Sequence, residues 1–84
     1  MVNAIHRLPA VLSARGRSRS SHYNDIENGL YTRPVRLGER AVGWPDNEVR
    51  ALNTARIAGL SDDEIRAMVI QLHAARTVAP TVEP

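Results

Sequence analysis

The most regular pattern of apolar and polar positions lies near the C-terminus. Apolar residues there recur at the spacing of one helix face, and they are Ile65, Met68, Val69 and Leu72. Just before them, Ser61 and Glu64 have the spacing of a capping box, in which each side chain accepts from the backbone N–H of the other residue. The pattern therefore predicts a helix over residues 61–76, and capping accounts for the acidic pair Asp62 and Asp63.

Three shorter segments also predict helices. Pro9 suits the first position of a helix, because its fixed φ and missing N–H cost little there, and this helix is predicted over residues 8–13. Ser18 resembles an N-cap, and the helix that follows it is predicted to run to about Asn28. A third helix is predicted to begin at residues 45–48, where acidic side chains complement the helix dipole.

A short turn and a hairpin are predicted around the second helix. Gly16 can take a positive φ, and two helices joined by so short a turn predict a helix-turn-helix. After the second helix, apolar and polar residues alternate on both sides of a turn at Gly38. The alternating apolar residues are Val35, Leu37, Val42 and Trp44. This predicts a two-stranded hairpin that is too short to be stable alone and so lies on the helices as a wing.

The aromatic residues are predicted to be mainly in the core, because they supply much of the buried surface of a small domain. The inward stripe of the second helix is predicted to be Tyr23 and Ile26, continued by Leu30. Trp44 is predicted to join this core, and Tyr31 to be half exposed. Stacking of Tyr23 or Trp44 on single-stranded nucleic acid is the less favoured alternative.

Length and composition limit the class of protein. The chain has 84 residues and a mass of 9.3 kDa, which predicts one domain over residues 1–76 and a disordered tail over 77–84. It contains no cysteine, which excludes disulfides and thiolate metal sites and suits a reducing cytoplasm. No apolar segment is long enough to cross a membrane, and residues 1–12 lack a secretory pattern. These features predict a cytoplasmic protein that contacts no membrane.

The charge is unevenly distributed along the chain. All 11 basic residues are arginine, and the formal net charge is +2. Residues 1–44 carry a net charge of +4, and residues 45–84 carry a net charge of −2. This asymmetry predicts one end that faces a polyanion and one end that avoids it.

The sequence shows no catalytic or metal-binding pattern. The histidines His6, His22 and His73 do not have the spacing of metal ligands on one helix face. No glycine-rich phosphate loop follows a strand, and no serine has a histidine and an aspartate in a suitable setting. We therefore predict a protein that is not an enzyme and uses no cofactor, metal or small-molecule substrate.

Polar residues of the second helix and of the wing indicate DNA binding. Arginines surround the start of the second helix, where the helix dipole and free N–H groups favour a phosphate. Asn24 has the groups to bond adenine in the major groove, and Arg40 at the wing tip is a candidate for the minor groove or a phosphate. The alternative for each residue is an ordinary solvated side chain. The predicted DNA-binding residues are Arg17, Arg19, Ser20, Ser21, Asn24, Arg33, Arg36 and Arg40.

Two carboxylates of the second helix, Asp25 and Glu27, oppose this interpretation because they repel phosphates. Either could pair with a neighbouring arginine and orient it, or Asp25 could accept a hydrogen bond from cytosine. The sequence leaves these alternatives open.

Four blocks of the sequence have a characteristic order and spacing: RLPAV at residues 7–11, SRSSHY at 18–23, RPVRLG at 33–38 and RAVGW at 40–44. Together they resemble the AlpA family of small phage and mobile-element regulators, related in fold to excisionases and to MerR-type winged helices. The resemblance covers about residues 5–58 and implies a winged helix-turn-helix that binds DNA. By position it implies that Arg19, Ser20, Ser21 and Asn24 lie in a recognition helix, and Arg36 and Arg40 in a wing.

The predicted fold class is therefore α+β and mostly helical, a winged helix-turn-helix with a two-stranded wing and an additional C-terminal helix. That helix, residues 61–76, is expected to pack mostly within the domain, since large exposed apolar stripes are uncommon in monomers. The other possibility is that it offers its stripe to another copy of the chain.

The residues and the resemblance lead to one functional hypothesis. The protein is expected to bind double-stranded DNA of a mobile genetic element, in the bacterial nucleoid, as an excisionase (recombination directionality factor). Several copies on adjacent sites would bend the DNA and direct a tyrosine-type integrase towards excision. The alternatives are a transcriptional regulator of the element and, less favoured, a protein-interaction adaptor. RNA binding is disfavoured because the chain lacks stacking aromatics on a sheet face.

Overall fold

The computed structural model describes residues 3–78, which form four helices and a small antiparallel sheet. The elements in chain order are β1 (Ile5–His6), α1 (Leu8–Arg15), α2 (Arg19–Glu27), β2 (Val35–Arg36), β3 (Val42–Pro45), α3 (Asp46–Ile57) and α4 (Asp62–Val78). The protein is α+β and mostly helical, as the sequence predicts. None of the helices within residues 3–78 combines the length and apolarity that crossing a membrane requires. Of the predicted tail, residues 77–84, the first two residues belong to α4, and residues 79–84 lie outside the described residues.

The predicted helix-turn-helix is formed by α1 and α2. The Ser18 hydroxyl accepts from the Ser21 N–H at 3.2 Å, which confirms the predicted N-cap. Gly16 takes a φ of 66°, in the left-handed region that favours glycine, and so lets the chain turn directly from α1 towards α2. α1 continues to Arg15, slightly past its predicted end, because the turn itself needs only residues 16–18.

The sheet has β3 at its centre, in the order β1-β3-β2. β2 and β3 form the predicted wing, whose turn is closed by the Leu37 N–H donating to the Ala41 carbonyl at 2.8 Å. β1 is a third strand that the sequence does not predict, because two residues are too short to show alternation. β1 can approach β3 because Gly43 lacks a side chain, and a Cβ there would come within 2.5 Å of Ile5 Cγ2.

The core lies where the helix-turn-helix, β3, α3 and α4 meet. It contains eight buried apolar residues among those described, namely Val11, Tyr31, Trp44, Val49, Leu52, Ala55, Ile65 and Val69. Trp44 is fully buried, as predicted, and its indole N–H donates to the Thr32 carbonyl at 2.8 Å. Ile65 and Val69 belong to this core, so the apolar face of α4 packs within the domain.

The two tyrosines occupy the opposite environments from those predicted. Tyr23 is 36% exposed, whereas Tyr31 is only 2% exposed. The core prediction for Tyr23 is wrong because α2 turns His22 and Asp25 towards the interior instead. Ile26 and Leu30 do pack against the core, as predicted, so the apolar pattern is wrong for Tyr23 alone. The polar residues His22 and Asp25, which apolar periodicity cannot indicate, are buried on α2 instead.

The C-terminal part of α4 holds the chain just before the wing. Arg76 donates to both oxygens of the buried Glu48 carboxylate, at 2.6 and 2.7 Å, and to the Arg33 carbonyl at 2.7 Å. His73 Nε2 accepts from the Arg33 N–H at 3.0 Å. A buried carboxylate needs such a partner, and here the same arginine also fixes the segment that leads into β2.

The capping box at the start of α4 is formed as predicted. The Ser61 N–H donates to Glu64 Oε1 at 2.8 Å, and the Glu64 N–H donates to Ser61 Oγ at 3.2 Å. Ser61→Ala is expected to lower the free energy of unfolding by about 1 kcal/mol, because one N–H at the helix start loses its acceptor. Thermal denaturation measures this loss. Ser20→Ala, at an exposed serine within α2, is the control, and equal effects of the two substitutions would contradict the capping role.

Candidate nucleic-acid interface

The outward face of α2 is exposed and has few internal contacts. Arg19, Ser20 and Asn24 are exposed, and the side chains of Ser20 and Asn24 form no hydrogen bond with any residue in 3–78. The Arg19 guanidinium lies 6.0 Å from the centre of the Tyr23 ring, at the outer limit of a cation–π contact. Ser21 is half-buried, and its backbone N–H is occupied by the N-cap. This face therefore presents donors and acceptors to solvent.

The wing carries two of the predicted arginines near its tip. Arg40 lies in the turn between β2 and β3, and its exposed side chain has no partner among the described residues. Arg36 makes one long hydrogen bond, from Nη2 to the Glu39 carbonyl at 3.4 Å. Both guanidinium groups therefore remain available to an anion, although the exposed Glu39 lies in the same turn.

Arg33 precedes the wing and is held by its backbone rather than by its side chain. Its N–H and carbonyl are both bonded to α4, while its side chain is exposed and forms no hydrogen bond within residues 3–78. The backbone contacts fix the point from which the side chain extends. The Arg33 side chain can therefore contact a phosphate without a change in the backbone at this position.

Arg17 differs from the other predicted arginines because it is bonded inside the protein. Its Nε and Nη2 donate to the Asp25 carboxylate at 2.8–3.1 Å, and Arg15 Nη2 donates to the same carboxylate at 2.7 Å. Only 6% of the Asp25 side chain and 5% of the Arg15 side chain are exposed. Asp25 thus pairs with neighbouring arginines, the first of the alternatives left open by the sequence, and it orients Arg17, whose side chain remains partly exposed.

Burial opposes ionisation of Asp25, but the hydrogen bonds from Arg15 and Arg17 outweigh it and lower the pKa of this carboxyl. The carboxylate is therefore charged at neutral pH and balances two guanidinium groups. Because the three residues come from α1, the turn and α2, this ion cluster fixes the angle between the two helices.

His22 lies beneath this cluster and is fully buried. Its Nδ1 accepts from Arg15 Nη1 at 2.7 Å, and its ring makes edge-to-face contacts with Tyr31 and Trp44, at centroid distances of 5.1 and 4.9 Å. Burial, and then the charge of Arg15, lower the pKa of His22 to about 4. The imidazole is therefore neutral at neutral pH, with its proton on Nε2.

The exposed surface offers hydrogen-bond donors and positive charge. Among residues 3–78, no three histidine, aspartate or glutamate side chains are grouped as metal ligands would be. The exposed side chains on the outward face of α2 and on the wing carry guanidinium, amide and hydroxyl groups. These are the groups that bind phosphate oxygens and base edges.

Two residues near the turn were not predicted from the sequence. Asn53 Nδ2 donates to the Ala14 carbonyl at 2.9 Å and so connects α3 to the end of α1. Arg56, also on α3, lines the same cavity as Arg15 and Arg17. Both are distant in sequence from the helix-turn-helix, and no local pattern could have shown that Asn53 bonds to α1 or that Arg56 lines this cavity.

Known proteins are similar to the part of this chain that contains the helix-turn-helix, the wing and α3. The family model described as "Prophage CP4-57 regulatory protein (AlpA)" matches residues 4–57, which run from β1 to the end of α3. The uncharacterized protein ORF88 of Enterobacteria phage P4 is 42% identical over 53 residues, which are 63% of this chain and 60% of that protein. The chain thus spans about three fifths of the length of this curated relative. No solved structure gives a significant match.

Proposed function

The chain belongs to the AlpA family of prophage regulatory proteins, and from this premise we propose that it binds double-stranded DNA through α2 and the wing. The observation that carries the proposal is the exposed polar face of α2, formed by Arg19, Ser20 and Asn24. Their side chains are free of hydrogen bonds within residues 3–78, whereas the inward face of α2 is held by the Asp25 cluster.

In this proposal α2 enters the major groove and the wing meets the adjacent backbone or minor groove. Asn24 bonds the N6 and N7 of an adenine, Ser20 bonds a base or a phosphate, and Arg19 bonds a guanine or a phosphate. Arg40 contacts the minor groove or its edge, where narrow grooves attract arginine. The predicted contacts to phosphates are Arg17, Arg33 and Arg36.

The finer role that we propose is that of an excisionase. Copies of the protein would bind adjacent sites at the ends of a mobile element, bend the DNA and so favour the excision geometry of a tyrosine-type integrase. The prophage context of the family supports this role. A transcriptional regulator is the second candidate, and the word "regulatory" in the family description favours it. The adaptor alternative has less support, because Ile65 and Val69 of α4 are buried in the domain.

Arg19→Ala, Asn24→Ala and Arg40→Ala are each expected to weaken DNA binding about tenfold, since each removes a direct contact to a base or a phosphate. Fluorescence anisotropy with duplexes from the element's attachment region and promoters measures the affinity. Arg50→Ala is the control, because Arg50 is an exposed arginine of α3 that pairs with Asp46. Losses no larger than that of the control would contradict the proposal.

The salt dependence gives an independent measurement of the same interface. If about five arginines contact phosphates, the logarithm of the binding constant falls with the logarithm of the salt concentration with a slope of about −4 to −5. A slope near zero would remove the electrostatic part of the proposal.

Footprinting separates the excisionase role from the regulator role. Cooperative protection of adjacent sites at the attachment region supports the excisionase, and protection confined to promoters supports the regulator.

A further inference from the structure

A cavity of about 330 Å³ lies between the turn of the helix-turn-helix, the end of α3 and the start of α4. Three arginines from three parts of the fold line it: Arg15 from α1, Arg17 from the turn and Arg56 from α3. Two carboxylates, Asp25 and Asp62, also line it. Its charged wall therefore has one positive charge in excess.

The Asp25 carboxylate is occupied by internal bonds. Its two oxygens accept four hydrogen bonds, one from Arg15 and three from Arg17. The bonds from Arg17 use only its Nε and Nη2, so the Nη1 edge of this guanidinium is free of protein partners within residues 3–78. Asp25 thus holds Arg17 in place while one edge of its guanidinium remains available.

Arg56 is held only weakly. Its one ion pair joins Nη1 to Asp62 Oδ1 at 3.4 Å, and both side chains are exposed. An exposed pair of this kind contributes little to stability, because solvent screens it and both side chains lose conformational freedom. The Nε and Nη2 of Arg56 form no hydrogen bond with another described residue. Arg56 can therefore turn to an anion in the cavity at small cost.

We infer that this cavity binds a phosphate oxyanion between Arg17 and Arg56, and that the oxyanion is a backbone phosphate of the DNA duplex on which α2 lies. The inference rests on the proposed function and adds Arg56, which no sequence pattern singles out. In helix-turn-helix docking the sugar-phosphate backbone passes the start of the recognition helix, and Arg17 immediately precedes Ser18, the N-cap of α2. A free phosphorylated small molecule has the same chemistry and is separated by experiment.

The first test replaces one of two arginines on the same helix. Arg56→Ala is expected to weaken DNA binding about fivefold on every duplex sequence and to reduce the salt slope by about 0.9, as the loss of one phosphate contact does. Arg50→Ala makes the same charge change on α3 outside the cavity and is expected to alter neither value appreciably. Equal effects of the two substitutions would overturn the inference.

The second test uses a substitution that is expected to strengthen DNA binding. Asp62→Asn removes the carboxylate that repels a phosphate and competes for Arg56, so it is expected to strengthen DNA binding about threefold. Asp63→Asn makes the same change one position further along, where the side chain pairs with Arg66 and does not line the cavity. Neither residue belongs to the Ser61–Glu64 capping pair. A tightening as large for Asp63→Asn would show a general effect of net charge and overturn the inference.

Two further measurements identify the source of the oxyanion and keep the two proposals distinguishable. Inorganic phosphate is titrated while nuclear magnetic resonance follows the Asn53 side-chain amide, which lies in the cavity wall. Saturable shifts of the Asn53 resonances that are lost in Arg56→Ala support an oxyanion site in the cavity. If such shifts occur but Arg56→Ala leaves the DNA affinity unchanged, the site binds a free phosphate, and the assignment to DNA is overturned. If Arg19→Ala and Arg40→Ala weaken binding while Arg56→Ala does not and no shifts occur, the inference fails and the proposed function stands. If none of these variants weakens binding, the proposed function fails as well.

Discussion

Asp25→Asn is expected to lower the free energy of unfolding by about 3–5 kcal/mol. The substitution keeps the shape of the side chain but removes the charge that balances Arg15 and Arg17. Arg15 cannot move into water to recover solvation, because only 5% of its side chain is exposed. Its guanidinium lies 3.9 Å from the centre of the Tyr31 ring and donates to His22, and neither partner carries a negative charge. A buried cation is left without its counter-charge.

Urea denaturation followed by Trp44 fluorescence measures this loss, because Trp44 is the single tryptophan of the chain and is fully buried. Asp63→Asn is the matched control. It breaks an ion pair with Arg66 at 3.1 Å in which the aspartate is 94% exposed, and it is expected to change the free energy of unfolding by less than about 0.5 kcal/mol. A loss for Asp25→Asn as small as that of the control would show that the cluster is not structural.

Acidification from about pH 7 to about pH 4 is expected to lower the free energy of unfolding by about 3 kcal/mol. The folded protein holds the pKa of His22 near 4, while in the unfolded chain it is near 6.5. Above pH 6.5 both states are neutral and the contribution is fully present. Between these two values the unfolded chain binds a proton that the folded protein does not, so stability falls as the pH falls.

Two further groups define the pH window. Burial, and then the charges of Arg76 and Arg33, lower the pKa of His73, so this residue acts in the same direction as His22. The lowered pKa of Asp25 makes its contribution disappear only below about pH 4, since its ordinary value is 3.8. The lowered pKa of His22 alone corresponds to a loss of about 3 kcal/mol in the free energy of unfolding. Rearrangement of the protein around the charged ring reduces this loss, and the lowered pKa of His73 adds to it.

Urea denaturation at several pH values, followed by circular dichroism, measures the pH dependence. His22→Phe removes the titrating ring and keeps the Arg15–Asp25 pair, so it is expected to reduce the slope between pH 6.5 and pH 4 by more than half. A His22 ring that titrates near its ordinary pKa in the folded protein, observed by nuclear magnetic resonance, would contradict the mechanism. An unchanged slope in His22→Phe would do the same.

The stability of the cluster bears on the proposed DNA interface. Asp25, Arg15 and Arg17 set the angle at which α2 leaves the turn, and the buried Asp25 directly follows the exposed Asn24 in α2. The interior contact therefore orients the exterior one. We expect substitutions of Asp25 or Arg15 to weaken DNA binding only through loss of folded protein or of this orientation, whereas Asn24→Ala leaves stability unchanged.

The elements of the fold follow mostly from local signals. The capping pair Ser61–Glu64, the N-cap Ser18 and the turn glycine Gly16 each act within four residues, so their sequence patterns are sufficient. The same holds for the apolar spacing of α4 and for the alternation in the wing. β1 has no such signal, because it exists only through its pairing with Trp44 and Pro45 of β3.

The candidate interface divides in a similar way. The polar composition of the outward face of α2 was sufficient to select Arg19, Ser20 and Asn24, because exposure is the ordinary state of such residues. The burial of His22 and Asp25 could not be derived, since it depends on Arg15 of α1, which donates to both side chains, and on the rings packed around His22. The apolar pattern places Tyr23 in the core because it cannot show that polar residues of α2 are buried instead.

The amino-acid sequence by itself determined the helices, the caps of α2 and α4, the wing and the polar residues exposed on α2, because each depends on residues a few positions apart. Only the tertiary structure decided that Asp25 is an internal partner of two arginines, that Tyr31 rather than Tyr23 is buried, and that Arg56 lines a cavity with Arg15 and Arg17. These outcomes depend on contacts between residues far apart in the chain or in different elements, and for Asp25 the cost of desolvation is known only when every neighbour of the charge is in place.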